Sequence, residues 1–360
     1  MSRVSQQIRE VVWPRRGIRG WAAWLALQPA SGLFATGVAL RNLGYRIGLL
    51  HVHHAGIAVV SVGNLTVGGT GKTPITLWLA KQLAANGARV AILLRGYRGR
   101  ARTVTVVSTG AGPEVDVDTA GDEAVMLAKC FGGAVLTARR RADGVAAAEQ
   151  LGCDMVVLDD GFQHRALARD FDLVLLNGRP GGLLPAGPMR ERLSALKRAD
   201  AVALVDKSED GVPAAATVAT GRADMPVFNV RFVATALVES DGGRWRECPI
   251  GLMTGRRVAV VAGIAEPGPF YAAVRQWEAH IEEIFEYADH HRYSQADWQR
   301  LSRDTRDVEL IVTTEKDLVK LEHFPFAKGK LVALRIAPEI DDGDALVRMV
   351  AERARRAAAV

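Results

Sequence analysis

The stretch SVGNLTVGGTGKTP, from Ser61 to Pro74, constrains the fold more than any other part of the chain. An apolar, β-branched run, GIAVVSV, leads into it, and TPITLWLAKQLAANG follows with a helical pattern. Pro74 stands near the start of that helix and Gly87 just beyond its end, the usual asymmetry of helix termini. Between strand and helix, Gly68, Gly69 and Gly71 can supply backbone angles that other residues avoid. A glycine-rich turn at a helix N-terminus lets consecutive backbone N–H groups converge on an anion. Lys72 and Thr73 complete G-x-x-x-x-G-K-[ST], except that Thr66 occupies the first glycine position. Gly63 offers an earlier pivot for the chain. The expectation is a nucleotide site: Gly68, Gly69, Thr70 and Gly71 wrap the phosphates, Lys72 reaches the outer two, and Thr73 serves Mg²⁺.

From His51 onward, short β-rich runs alternate with helical patterns: RVAILLRGY, DEAVMLAKCFGG, AVLTA, RADGVAAAEQLG, CDMVVLDDGF, FDLVLLNG and DAVALVDK. This alternation predicts an α/β fold, a P-loop NTPase-like, mostly parallel sheet with helices on both faces. The pattern changes between about Pro213 and Gly255, where VFNVRFVATALVES and GRWREC, parted by Asp241-Gly242-Gly243, read as a β-hairpin. A second α/β series then runs to a C-terminal helix. The predicted organisation is an N-terminal segment (1–50), a phosphate-loop core (51–225) and a smaller α/β domain (226–360) joined by the hairpin.

The net charge of +6 is local. Residues 1–50 hold Arg3, Arg9, Arg15, Arg16, Arg19, Arg41 and Arg46 against one acid, Glu10, so the rest of the chain is neutral. Nucleic-acid binding would spread basic residues over the folded domain. An arginine-rich end beside WAAWLALQPASGLFATGVAL, twenty uncharged residues from Trp21 to Leu40, better suits an anionic membrane surface. Pro29 is expected to break or kink a helix there, which favours an interfacial hairpin or amphipathic anchor, with a true span and a buried helix as the other readings. The three cysteines, Cys130, Cys153 and Cys248, form no C-x-x-C pair, which excludes a cysteine metal cluster and fits a reducing compartment.

Three further motifs carry chemistry. MVVLDDGFQH ends an apolar run on Asp159 and Asp160, carboxylates placed to hold Mg²⁺ or its waters beside a phosphate loop, with Gln163 and His164 close by. TAGDEAVML puts Asp122 and Glu123 at a helix start, where capping alone would explain them and a catalytic base would also stand. YADHHRYS offers Asp289, His290 and His291; should His290 meet Asp122 across a domain cleft, the two would form a base for deprotonating a hydroxyl. A dimeric ATPase switch that cycles on membranes would carry K-G-G-x-G-K-T, but Val67 stands where its signature lysine belongs.

Taken in order, SVGNLTVGGTGKTP, LRGYRGR, GDEAVML, VLDDGFQH, GRPGGLLPAGPMRE, GIAEPGPF, DHHRYS and TTEKD resemble the tetraacyldisaccharide 4′-kinases of Gram-negative bacteria over nearly the whole chain. Thr66 is then the family's own spelling of the loop. The resemblance implies ATP-dependent phosphorylation of the 4′-hydroxyl of an acylated glucosamine disaccharide 1-phosphate, giving lipid IVA in lipid A biosynthesis. It implies a monomer on the cytoplasmic face of the inner membrane, with ATP and Mg²⁺ and no nucleic-acid partner. Asp122 would be the base, oriented by His290. Thr73, Glu123, Asp159, Asp160 and Gln163 would surround the metal, and Asn64, Arg95, Tyr97 and Arg141 would serve the lipid headgroup.

Overall fold

A computed structural model describes residues 12, 13, 15–177, 181–206 and 224–358. Arg3, Arg9, Glu10, Pro213 and the GRP of GRPGGLLPAGPMRE lie outside the described residues.

In chain order the elements are α1 (Gly17–Arg46), β1 (Ala58–Asn64), α2 (Lys72–Ala85), β2 (Val90–Leu94) and β3 (Thr105–Ser108). A single helical turn at Val117–Ala120 precedes α3 (Asp122–Cys130), β4 (Ala134–Thr137), α4 (Arg141–Gln150) and β5 (Met155–Asp159). Then come β6 (Phe171–Asn177), β7 (Ala201–Asp206), β8 (Val227–Asp241), β9 (Arg244–Cys248), β10 (Arg257–Ala262), α5 (Gly268–Gln276) and β11 (His280–Glu286). The chain ends with α6 (Gln295–Asp304), β12 (Leu310–Thr314), α7 (Glu315–Leu321), β13 (Leu331–Ile340) and α8 (Gly343–Ala358). The sheet is mostly parallel and carries helices, as the alternating pattern predicts.

Two compact units share the chain. One comprises 1–72, 141–231 and 340–360; the other comprises 73–140 and 232–339. This grouping differs from a single cut at 225/226, because an α/β sheet places strands beside one another out of sequence order. The third passage between units falls within β8, close to the expected boundary, and the hairpin forms as β8 pairs antiparallel with β9.

In the first unit β1 is the inner strand, parallel to β5 on one side and β6 on the other, with β7 and the start of β8 continuing beyond β6. All seven residues of β1 are buried, which is why AVVSVGN reads as a nearly continuous apolar run rather than an alternation. Leu65, Phe162, Val174, Met189, Leu196 and Val202 form a core beneath the carboxyl ends of these strands. The register pairs Val62 with Asp159, so β1 and β5 deliver the glycine loop and the acidic turn side by side.

Helix α1 belongs to the same unit and runs unbroken through Pro29, in place of the expected break. Its inward residues are small or polar: Gly20, Ser31 and Gly44 are buried. Ser31 donates to the Leu183 carbonyl at 2.9 Å, and Asn42 donates to the buried Glu191 at 2.9 Å. Ile18, Leu25, Leu33 and Leu40, about two turns apart, lie exposed along another face. This is the inverse of a helix that seals a water-soluble core. The helix is long and apolar enough to cross a membrane.

In the second unit β10 lies parallel between β11 and β12, and β12 is parallel to β13. Val258, Val260, Phe270, Val274, Val312 and Leu334 pack on one side of these strands, and Ala259, Val261, Phe285, Leu301, Ile311 and Leu318 on the other. β2 pairs parallel with β4, and β3, which the sequence pattern does not announce, closes this group antiparallel to β4.

Candidate active site

The phosphate loop leaves β1 at Asn64 and ends where Lys72 opens α2. Gly68 (φ 119°) and Gly71 (φ 80°) adopt the left-handed region that the motif requires, whereas Gly69 does not. Gly63 is a strand residue and not a pivot. A Cβ there would lie 2.5 Å from the Phe162 Cβ, so its glycine permits the acidic turn to close onto the end of β1. Without the motif's first glycine, Thr66 is steadied from outside. It bridges to Met189, while Val67 N–H donates to the Pro188 carbonyl at 2.9 Å and Arg190 N–H to the Leu65 carbonyl at 2.7 Å. Asn64 is fully buried and donates to the Thr70 hydroxyl at 2.8 Å, tying the loop's two ends together.

Lys72 lies 3.7 Å from Asp160 and 3.4 Å from the Thr70 hydroxyl. Arg190 donates to both oxygens of Asp160, at 3.0 and 2.9 Å, and reaches Gln163 Oε1 at 3.4 Å. Burial would raise the Asp160 pKa, but the charges of Lys72 and Arg190 reverse that and hold the carboxyl ionised. Asp160 itself adopts φ 56°, in the turn that follows β5. Asp159 is buried, and its carbonyl accepts from Arg141 at 3.1 Å. Arg141 is only 4% exposed, so it props the acidic turn from within. Gln163 spends its amide N–H on the Asn64 carbonyl at 2.8 Å. Thr73 is the second residue of α2.

The second constellation lies in the other unit. Gly121 (φ 92°) is the N-cap residue before α3, and a Cβ there would stand 2.6 Å from the Tyr97 carbonyl oxygen. That close approach lets the LRGYRGR turn lie against the start of α3. Asp122, the first residue of α3, is buried and accepts from the Glu123 N–H at 3.0 Å. His290 Nδ1 lies 2.9 and 2.8 Å from its two oxygens, and Lys320 Nζ lies 3.5 Å from Oδ2. Burial opposes the charge on Asp122. The hydrogen bond from His290 and the nearby cations, Lys316 first among them, overcome it and hold the pKa at about 2. Both residues belong to one compact unit, so the pair is made within it and not across two.

His290 is fixed on all sides. Its backbone adopts φ 58°, its N–H donates to the Gly263 carbonyl at 3.1 Å, and its carbonyl accepts from Arg98 at 3.2 Å. The exposed Tyr97 ring lies 5.7 Å from the imidazole, and Arg95 is exposed two residues earlier. His291 turns elsewhere, to Asp297 at 3.1 Å. Lys316 sits 3.0 Å from His290 Nε2, 3.2 Å from Asp289 and 3.5 Å from Glu123. Burial works against its charge, but Glu123, Asp122 and Asp289 outweigh that and raise its pKa. Lys316, Lys320 and Arg190 are functional candidates that motif reading passes over. The i, i+4 spacing of the two lysines in TTEKDLVKL is the signal that would have found the first two.

The acidic donors fit a magnesium ion that arrives with nucleotide. Among the described residues no three or more His, Cys, Asp or Glu side chains gather as a metal cage. Magnesium in phosphoryl-transfer sites uses one or two carboxylates and the substrate's own phosphates. Asp159 and Asp160 are carboxylates of that kind beside the loop, whereas Glu123 is engaged by Lys316.

A family model described as tetraacyldisaccharide-1-P 4′-kinase matches residues 23–355. The chain is similar to the tetraacyldisaccharide 4′-kinase of Anaeromyxobacter dehalogenans, with 41% identity covering 92% of this chain and 91% of the relative. It is also similar to that of Syntrophotalea carbinolica, with 39% identity over 84% and 85%. Among solved structures it resembles the "apo" form of LpxK from Aquifex aeolicus in complex with ATP, at a TM-score of 0.78. The sequence identity is 30%, covering 92% of this chain and 99% of that one.

Proposed function

The chain belongs to the tetraacyldisaccharide-1-P 4′-kinase family, and from that premise we propose how its own residues perform the transfer. The protein phosphorylates the 4′-hydroxyl of a tetraacylated disaccharide 1-phosphate at the expense of ATP, forming lipid IVA. The loop N–H groups and Lys72 bind the β- and γ-phosphates, and Thr73, Asp159 and Asp160 are the residues that would hold Mg²⁺. The metal supplies charge neutralisation on the phosphate oxygens. Lys72 exchanges Asp160 for phosphate, a small rearrangement because the existing contact is long.

Asp122 receives the proton of the 4′-hydroxyl as that oxygen bonds to phosphorus and the bond from phosphorus to the β-phosphate oxygen breaks. A carboxylate held at about 2 is a weak base. It suffices because the transition state of phosphoryl transfer is loose, so the hydroxyl needs orientation early and loses its proton late. Arg95 and Tyr97 contact the sugar headgroup directly. Asn64 and Arg141, both buried, act on it through the turns they hold. Glu123 draws Lys316 towards the pair, and Gln163 steadies Arg190.

The observation that carries this reading is the contact of His290 Nδ1 with both oxygens of a buried, ionised Asp122, since a capping aspartate needs no such partner. The test supplies γ-labelled ATP and a lipid extract containing the acylated disaccharide. Label should enter lipid; release of free phosphate alone would favour a membrane-bound ATPase switch. The exposed apolar stripe on α1 supports attachment to a membrane surface, and our reading is a peripheral monomer on the cytoplasmic face of the inner membrane. Deleting residues 1 to 45 should free it from vesicles without loss of ATP binding, and continued pelleting would put the anchor elsewhere.

A further inference from the structure

The two ring nitrogens of His290 face opposite kinds of group. Nδ1 looks at the carboxylate of Asp122, which can only accept, at 2.8 and 2.9 Å. Nε2 looks at the Lys316 ammonium, which can only donate, at 3.0 Å. The Asp289 carboxylate stands farther off, at 3.8 Å, beyond hydrogen-bond reach, and is itself drawn to Lys316 at 3.2 Å. One form of the ring satisfies both: neutral, with its proton on Nδ1 and a lone pair on Nε2. An imidazolium would point two donors at each other across 3.0 Å. The other neutral tautomer would fail at both ends.

We propose that Lys316 is a positioning residue that fixes His290 in the neutral Nδ1–H form, so that the imidazole donates to Asp122 and cannot itself take the substrate's proton. This inference rests on Asp122 as the proton acceptor and adds the reason why it, and not His290, fills that role. With its Nε2 lone pair occupied, the ring has no free basic site. Lys316 is well suited to the task because it does not wander. Asp289 at 3.2 Å and Glu123 at 3.5 Å hold its ammonium, and it is mostly buried. Its helix, α7, is capped by the Thr314 side chain, which accepts from the Asp317 N–H. Asp317, fully buried, also accepts from the Gly263 N–H at 2.8 Å, and Gly263 in turn accepts from the His290 N–H. Histidine and lysine are thereby referred to the same short stretch of backbone. Lys320, one turn on, lies 2.8 Å from Asp317 and 3.5 Å from Asp122, completing the frame on the carboxylate's other side.

The decisive experiment reads the tautomer, with no catalysis involved. In full-length protein labelled with ¹⁵N-histidine, without nucleotide at neutral pH, the His290 resonances are assigned by their loss in His290→Gln. The expected pattern is a protonated Nδ1 and an unprotonated Nε2. In Lys316→Met the pattern should shift towards a tautomer mixture or the imidazolium, and Lys316→Arg should restore part of the original. A protonated Nε2 in the unaltered protein would overturn the proposal, and so would an unchanged pattern in Lys316→Met. Should Lys316→Met fail to fold, the unaltered protein and Lys316→Arg still decide the matter. Kinetics give a second reading. Lys316→Met should lower kcat roughly 10- to 100-fold, the scale of a lost partner that orients a histidine, with a much smaller change in KM for ATP. If Asp122 proves dispensable while the spectra hold, the catalytic assignment fails and the tautomer assignment stands.

Discussion

Lys72 and His290 each face a carboxylate, but the two contacts are built to opposite standards. Lys72 stands 3.7 Å from Asp160, whose side chain is 36% exposed and is shared with Arg190. His290 meets Asp122 at 2.8 Å, with side chains 11% and 6% exposed. The first is an ion pair that a polyanion can displace, because water already screens much of it. The second is closed: every charge has a near partner, and breaking it would strand a buried carboxylate. A site that must receive a nucleotide keeps its cation loosely engaged. A site that must present one oxygen atom at one angle is completed in advance.

Lys72→Ala should produce the largest effect. Transfer should fall by about 10³-fold or more, the scale of losing a cation that stabilises a transferring phosphoryl group. Thr73→Ala should follow it closely if the metal is held there. Near-normal turnover in Lys72→Ala would erase the distinction, since the loop would then be a structural turn.

Next come Asp122→Ala and His290→Ala, each expected to lower kcat by about 10²–10⁴-fold with much smaller effects on KM for ATP. Because the two act as one unit, the double variant should be little worse than Asp122→Ala alone. Fully multiplicative losses in the double-mutant cycle would mean two independent residues. His291→Ala, which breaks the contact with Asp297 and the ring contacts with Tyr287 and Tyr293, should turn over nearly normally, and a larger loss there than at His290 would reassign the histidine.

How much of this contrast is legible in the chain depends on whether a residue's role leaves a local mark. The phosphate loop does, since Gly68 and Gly71 must take backbone angles that other residues avoid, and Lys72 must follow them. Asp159 and Asp160 do too, as acids ending a fully buried strand. Asp122 and His290 carry weaker marks, being 168 residues apart and individually explicable as a helix cap and a loop histidine. Their pairing came with the family resemblance. Lys316 and Lys320 look like any solvated helix face, because nothing local says that the facing surface is acidic. Arg141, expected at the lipid headgroup, is buried instead; nothing local shows that the acidic turn will close over it. Pro29 reads as a helix break, yet α1 absorbs the one hydrogen bond it removes without ending.

The acid limb of stability should also separate the two sites. The folded pKa of Asp122, about 2, lies below its ordinary value of about 3.9, so the stabilisation it brings is complete above about pH 4. It is lost as pH falls through about 2, and a depression of nearly two units corresponds to about 2 kcal/mol. The difference in unfolding free energy between the unaltered protein and Asp122→Asn, measured without nucleotide, should therefore be constant from pH 7 to about pH 5 and shrink below about pH 4. A difference that stays constant down to pH 3 would mean that His290 and the lysines do not hold the carboxylate as described.

The smallest expected effect is the most discriminating. Lys72→Met should change the stability of the nucleotide-free protein by less than about 1 kcal/mol, because a long, partly screened ion pair contributes little. Asp160 would keep Arg190 at 2.9 Å, so no carboxylate is left unpartnered. His290→Ala should cost more than this, since Asp122 would lose its closest hydrogen-bond donor inside the protein. Added Mg²⁺ and ATP should then raise the melting temperature of the unaltered protein by linkage and raise that of Lys72→Met much less. His290→Ala, damaged in stability, should keep the full nucleotide-induced rise. If Lys72→Met were as destabilising as His290→Ala, Lys72 would be part of the folded frame, and the loop could not be the half of the chemistry that waits for its ligand.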